Sequence, residues 1–303
     1  MRIAIVGLGN VAEHHVAALE DFPDAVVVGG MDPDVRKTLT FRGVPVPRAT
    51  TVPELFALGV VETAIVTTPT ATHAAVVDEI ARCSPCRILV EKPLATTAED
   101  VRRLLAEDSP NEVTTLFHAA AAPEVEWAHA MFHDFVARHG PVVAIDMFVA
   151  DGNLARVDEL RESCGNAWID LGINALSVAA RFVTADSVAL THVDRNRETY
   201  GARFRFANGA GEGEGVIVAT WAGLEPSKHS VFRFANGALL LLDHQAGAAS
   251  MSAENLVEPM FLLDDARPRL QWHYRNLFET ILGGDRLFDR DTDLHLHEQL
   301  LGA

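Results

Sequence analysis

The chain has 303 residues, 49% of them hydrophobic and 22% charged, the composition of an ordinary globular protein of about two domains. Its net charge of -17 speaks against a nucleic-acid partner or an anionic membrane surface, because both need concentrated positive charge. A small neutral molecule fits this charge better, and three cysteines are too few for a disulfide framework.

Met1 leads straight into an alternating strand, Arg2 to Val6, and no apolar run is long enough to span a bilayer, so a cytoplasmic protein without a membrane partner is expected. Gly7-Leu8-Gly9-Asn10-Val11-Ala12 follows at once and opens a helix through His15 and Leu19. This is a G-x-G-x-x-A dinucleotide fingerprint. Gly7 serves the tight turn, Gly9 lets backbone approach a pyrophosphate, and Ala12 lets helix and strand pack closely. The free N–H groups at the helix start, from Asn10 and Val11, face the anion. A second strand, Ala25 to Gly29, ends near Asp32, which is placed to accept from a ribose 2'-hydroxyl and to repel a 2'-phosphate. NAD is therefore expected over NADP, although Arg36 nearby is a cation that a phosphate would use.

Strands and helices keep alternating. Glu62 to Thr68 is a strand whose end, Thr67-Thr68-Pro69-Thr70, lies at the sheet edge where a cofactor binds, and a helix from about Thr72 to Cys83 follows. Cys83-Ser84-Pro85-Cys86 is one C-x-x-C without a second pair, so ordinary thiols and no metal site are expected. The next strand, Ile88-Leu89-Val90-Glu91-Lys92-Pro93, delivers a lysine to the same edge. Only Lys37, Lys92 and Lys228 are lysines in this arginine-rich chain, and an ammonium offers a movable pKa that a guanidinium does not. A helix from Ala98 to Ala106 and a strand from Val113 to Phe117 complete a parallel α/β unit at His118.

Beyond it the texture changes. A helix is expected over Pro123 to His139, then a strand from Val142 to Val149. Phe204-Arg205-Phe206-Ala207-Asn208-Gly209-Ala210 recurs letter for letter at Phe232 to Ala238, two strands each running into an Asn-Gly hairpin turn. The Gly/Glu alternation of Gly211 to Gly215 reads as the start of a return strand. Ala238 to Leu242 is apolar at every position, so both faces of that strand need cover, one of them from a partner. Trp272 to Leu282 and Asp293 to Leu300 read as helices packing back on the body, with His295 and His297 structural.

With the fingerprint at 7 to 12, Glu91-Lys92-Pro93, and Gly165-Asn166-Ala167-Trp168-Ile169-Asp170-Leu171-Gly172-Ile173-Asn174, the chain resembles the glucose–fructose oxidoreductase / inositol dehydrogenase family over essentially its whole length. The resemblance implies an N-terminal Rossmann domain with a doubly wound parallel sheet (residues 1–118). It implies a C-terminal α/β domain with an open, mainly antiparallel sheet for substrate binding and oligomerisation (residues 119–303). It implies an NAD(P)-dependent dehydrogenase acting on CH–OH groups, with Glu91 and Lys92 along the cofactor beside the strand end at Thr68 and Pro69; the apolar run Ala238 to Leu242 adds the expectation of a homodimer or homotetramer. Carried over, the catalytic positions are Lys92, Asp170 and, where the family has histidine, Asn174. Asparagine orients a hydroxyl but takes no proton. Asparagine here, within Asp170-x-Gly-Ile-Asn-Ala-Leu-Ser, resembles the branch that oxidises aldoses such as L-arabinose and D-galactose at C1.

The expected chemistry is hydride transfer from C1 of a cyclic aldose to the nicotinamide, giving a lactone. Lys92 lowers the pKa of the C1 oxygen, Asp170 takes the proton, and Asn174 holds the hydroxyl in line. His118 is a substrate contact or a second candidate for the base. Asp151, Trp168 and Trp221 are candidates to meet sugar hydroxyls and a sugar face. An inositol or other polyol dehydrogenase, or a sugar-sensing regulator that has lost turnover, are the competing readings.

Overall fold

The structure, a computed structural model, describes every residue except 108, 110, 153, 154, 156, 209, 210, 254, 255 and 303. It divides into two compact units, Met1–Phe117 with Leu270–Leu294, and His118–Arg269 with His295–Ala303.

The first unit alternates as its sequence does. Strand β1 (Arg2–Val6) runs into helix α1 (Asn10–Leu19) and strand β2 (Val26–Met31). A ribbon of β3 (Thr40–Phe41) and β4 (Val44–Pro45) precedes β5 (Arg48–Ala49) and α2 (Val52–Ala57). Then come β6 (Thr63–Val66), α3 (His73–Cys83), β7 (Arg87–Glu91), α4 (Ala98–Leu104) and β8 (Val113–Leu116). The sheet order is β5-β2-β1-β6-β7-β8, and every pairing is parallel. The chain travels outward from β1 in one direction, then returns and travels in the other, so the order reverses between β1 and β6. That reversal opens the crevice where α/β sheets bind ligands. Cys83 and Cys86 are free thiols, and burial pushes the Cys86 thiol up to about 11.

In the second unit, α5 (Pro123–His139) is followed by β9 (Val142–Gly152), α6 (Val157–Cys164) and α7 (Ile173–Ala180). Among the described residues seven more strands follow: β10 (Ala189–Asn196), β11 (Thr199–Ala207), β12 (Glu212–Thr220), β13 (Ala222–Phe234), β14 (Leu239–Asp243), β15 (Ala248–Ala253) and β16 (Leu256–Leu262). Their order is β10-β11-β12-β9-β13-β14-β15-β16, antiparallel except for β12 against β9. One face of the sheet buries Phe204, Phe206, Phe232, Phe234, Leu240 and Leu242. The Gly/Glu alternation is the start of β12 and has a packing cause. A Cβ at Gly213 would stand 2.2 Å from the Phe206 ring, and one at Gly215 would stand 2.1 Å from the Phe204 ring. The second Asn-Gly turn closes as expected, with Gly237 at φ +90° and the Asn236 side chain accepting the Ala238 N–H at 3.0 Å. The first falls on Gly209 and Ala210, outside the described residues. In the apolar run, Leu240 and Leu242 are buried, while Leu241 remains 37% exposed on the opposite face.

Two helices close the chain, α8 (Arg269–Leu282) and α9 (Arg290–Leu301). Here the expected domain 119–303 needs correction, because Leu270–Leu294 belongs with the first unit. Tyr274, Leu277, Phe278 and Ile281 form the buried stripe of α8. Arg87 donates to the Ile281 carbonyl at 2.6 Å, and Thr115 donates to Asp293 at 3.0 Å. The helical period of the segment is legible in sequence, but the layer it packs on is not. Among the described residues no helix is long and apolar enough to cross a membrane.

Glu124, in the first turn of α5, accepts at 2.7 Å from His244 Nδ1, and His244 Nε2 lies 2.7 Å from Ser230 Oγ. This order of groups is that of a hydrolytic relay, yet Ser230 is 0% exposed, so the chain of bonds is a tie from α5 to the sheet. Glu124→Ala would strand a buried imidazole, and a loss of about 2–4 kcal/mol is expected in urea-unfolding midpoints.

Candidate functional site

The nucleotide half of the site is made by the end of β1. Gly7 sits at φ +96° and donates its N–H to the Met31 carbonyl at 2.8 Å. A Cβ there would meet Thr68 N at 2.8 Å, so only glycine lets the loop lie against the end of β6. Thr67 fastens that approach by donating its hydroxyl to the Gly7 carbonyl at 2.6 Å. Gly9 has the opposite surroundings, with nothing within 4 Å of the point a Cβ would occupy, which leaves space over the backbone. It precedes α1 with no side-chain cap, so the first N–H groups of the helix stay available to an anion. Asn10 and Val11 are exposed there, while Ala12 is fully buried against the strand.

A cavity of about 670 Å³ opens over these residues, lined by Gly7, Gly9, Asp32, Thr68, Pro69 and Val76 among others. Its size suits a nucleoside portion of a dinucleotide. Asp32 is half-buried at its rim and already organises the loop. Oδ2 accepts the Leu8 N–H at 2.9 Å, and Oδ1 accepts the Asp34 N–H at 2.8 Å. Arg36 is turned elsewhere: its guanidinium holds Asp34 at 2.9 and 2.8 Å, and those bonds keep the Asp34 carboxyl well below the usual range. Sequence reasoning missed Arg48, which donates to the Asp32 carbonyl at 3.0 Å. Its only signal was a cation in a short strand sixteen residues further on.

Lys92 directly follows β7 and is half-buried, joined to Pro93 by a cis peptide bond. Glu91 is expected along the cofactor, but its side chain is turned into the protein. It is 7% exposed, meets His15 Nε2 at 2.7 Å, and accepts the Lys92 N–H at 3.2 Å. His73 is another residue that sequence reasoning missed. It is buried, with Nε2 at 2.8 Å from the Thr68 carbonyl and Nδ1 at 3.0 Å from the Pro93 carbonyl. It thus braces the end of β6 against the turn after the lysine. Burial is the larger influence on its ring and lowers its pKa despite those two acceptors.

In the second unit, Asp170 stands on a π-helical turn, Trp168–Gly172, that continues into α7. Such turns re-aim side chains within a helix. Trp221, fully buried, donates its indole N–H to Asp170 Oδ2 at 3.1 Å and fixes that carboxylate. One turn on, Asn174 Nδ2 lies 3.5 Å from the Asp170 carbonyl, and its Oδ1 is a buried acceptor with no partner among the described residues. An orphaned acceptor beside a carboxylate is suited to a ligand hydroxyl, since a buried polar group left unpaired costs about 1–3 kcal/mol.

The remaining candidates differ. His118 is half-buried at the start of a 3-10 turn, His118–Ala121. Asp151 is paired with Lys228 at 2.7 Å, a partner that only the scarcity of lysines could have flagged. Trp168 is a correction to the expectation that it meets a sugar face. It is 3% exposed, its indole donates to the Leu300 carbonyl at 3.0 Å, and its ring fills the space beside Gly172. It is a core residue.

Residues 1–117 match the model of an oxidoreductase family with an NAD-binding Rossmann fold. The inositol 2-dehydrogenase of Rhizobium meliloti (strain 1021) is 24% identical over 193 residues, which is 63% of this chain and 57% of that enzyme's length. Two solved structures share the fold at low identity. A myo-inositol dehydrogenase from Corynebacterium glutamicum ATCC 13032 superposes with a TM-score of 0.74 at 19% identity, over 100% of this chain and 95% of that one. A UDP-N-acetylglucosamine 3-dehydrogenase from Acidithiobacillus ferrooxidans gives 0.77 at 16% identity, over 100% and 96%. With the glycine loop, the open cavity and Asp32 in place, residues 1–117 carry the NAD-binding Rossmann fold that the matched oxidoreductase family model describes.

Proposed function

We propose that the chain is an NAD-dependent dehydrogenase that oxidises a neutral cyclic sugar or polyol, in the first instance an aldose at C1, to the corresponding lactone. The observation that carries this reading is the Asp170–Asn174 turn. It combines a carboxylate oriented by Trp221 with a buried, unpartnered amide oxygen, a proton acceptor beside a hydroxyl-orienting group. The relative named for inositol supports the substrate class. A neutral substrate also suits the cations near Asp151: Lys228 is already paired, and Arg269 faces Glu124, Asp151 and Asp243.

When bound, NAD supplies the hydride acceptor. In this reading Lys92 donates a hydrogen bond to the reacting carbinol oxygen and favours its alkoxide form. Asp170 takes the hydroxyl proton, and Asn174 Oδ1 accepts from a neighbouring hydroxyl to hold the ring in line. Asp32 supports NAD over NADP because a 2'-phosphate would meet its carboxylate. Appearance of NADH when the purified protein meets NAD and a panel of aldoses, ketoses and inositols tests the reading; no turnover on any of them would defeat it.

Replacing Lys92 by Met should cut kcat by about 10² to 10⁴ with NAD binding retained, since the lysine acts mainly as charge develops. Asp170→Asn should lower kcat at every pH and remove the acidic limb of the rate profile. Asn174→Ala should cost about tenfold, the loss of one orienting bond, shared between KM and kcat. Near-normal turnover in Asp170→Asn would transfer the role of base to His118.

Asp32→Ser should raise the NAD KM by roughly tenfold or more and relax discrimination against NADP, because it removes a repulsive charge and two loop bonds. Steady-state kinetics with both cofactors measure this, and a wild type that prefers NADP would reverse the assignment.

Assembly belongs to the same proposal. Val216 and Leu241 remain 39% and 37% exposed on the open sheet face, where Val231 stands directly opposite Leu241. A second copy of the chain covering that stripe is expected, and a monomer by light scattering at micromolar concentration would count against it.

A further inference from the structure

The first unit contains a buried cluster that the chemistry above does not use. Glu91 is 7% exposed, His15 0% and Tyr274 1%, and they come from β7, α1 and α8. His15 Nε2 lies 2.7 Å from Glu91 Oε1, the Tyr274 hydroxyl is hydrogen-bonded to the same carboxylate, and Glu91 Oε2 accepts the Lys92 N–H at 3.2 Å. The His15 and Tyr274 rings lie 3.8 Å apart, with Phe278 5.6 Å from His15 on the same helix as Tyr274. His15 Nδ1 is buried without a hydrogen-bond partner among the described residues.

We propose that Glu91 is a positioning residue for Lys92, held as a buried carboxylate by His15 and Tyr274. A buried carboxylate persists only when donors replace its water, and three donors converge here. One of them is the backbone N–H of Lys92, so the anion is fixed one residue from the ammonium-bearing side chain. Because His15 rides on the helix that starts at the glycine loop, the same carboxylate registers the lysine strand against the nucleotide-binding helix. Four titratable or charged groups face Glu91: His15 from α1, His73 from α3, Tyr274 from α8, and Lys92 at the end of its own strand. Burial opposes its charge, yet the bond and charge of His15, the bond from Tyr274 and the charge of Lys92 prevail and hold its pKa below the ordinary value. Burial raises the Tyr274 hydroxyl well above its usual range, so it remains a donor.

The proposal rests on the reading of Lys92 as catalytic, and one arm of its test needs no turnover. The chain has three lysines, so protein grown on lysine carrying ¹³C at Cε gives three resolvable positions, with Lys92 identified by its loss in Lys92→Met. In Glu91→Gln, which keeps shape and removes the charge, the Lys92 titration should move to lower pH. In Tyr274→Phe, kcat should fall about ten- to hundredfold, the cost of a slightly misplaced reacting group, while the NAD dissociation constant stays within about twofold. His15→Gln, which keeps an N–H donor, should retain more kcat than His15→Leu. An unmoved Lys92 titration in folded Glu91→Gln overturns the proposal, as does wild-type kcat in both Tyr274→Phe and His15→Leu. Should Glu91→Gln fail to fold, Tyr274→Phe decides by the same spectrum: a displaced Lys92 titration supports the proposal and an unmoved one overturns it. If the wild type oxidises no sugar or polyol, the proposed function falls, and the titration still decides whether Glu91 governs Lys92.

Discussion

The contact on which the first unit depends is the approach of Gly7 to the end of β6, where the backbone comes too near Thr68 for any side chain. That closeness puts the turn after β1 directly over the switch point of the sheet. It sets the start of α1, and with it the uncapped N–H groups, at the mouth of the cavity. Thr67 and His73 are bound to the same corner, one through the Gly7 carbonyl and the other through those of Thr68 and Pro93. The glycine requirement is thus steric on one side and functional on the other. Gly7 is needed because space is missing, Gly9 because space has been left.

Much of this was legible in the residues. A fingerprint flanked by a strand and a helix carries its own geometry, and the alternation through β8 leaves little choice but a parallel sheet. What could not be read was the environment of groups whose partners are distant in sequence. Glu91 looks like a residue at a ligand-binding edge because its position is local, but its side-chain direction depends on His15, seventy-six residues earlier, and on Tyr274. Trp168 shows the same limitation. An aromatic beside a catalytic-looking aspartate invites a sugar-stacking role, whereas burial and the Leu300 carbonyl, 132 residues away, make it core.

The second unit shows how a pattern can be read correctly with its cause left out. Alternating glycine and glutamate announced a strand, but only the Phe204 and Phe206 rings lying over Gly215 and Gly213 explain why glycine is tolerated in its interior, where it normally weakens a sheet. Those ring–glycine pairs make positions 204 with 215 and 206 with 213 single volumes shared between neighbouring strands. Changes at the two members of a pair should therefore not add.

The return of Leu270–Leu294 to the first unit bears on how the chain is made. Arg87 with Ile281 and Thr115 with Asp293 join residues 194 and 178 positions apart. A ribosome delivers the parallel sheet early, but the helix that covers His15 emerges only after the whole second sheet has been synthesised. Until then the His15 face of α1 lacks the Tyr274 and Phe278 rings, and bringing them in carries the loop-entropy cost of a very long separation. The nascent first unit therefore exposes, until α8 is made, apolar surface that the finished protein hides, the kind of surface that chaperones shield.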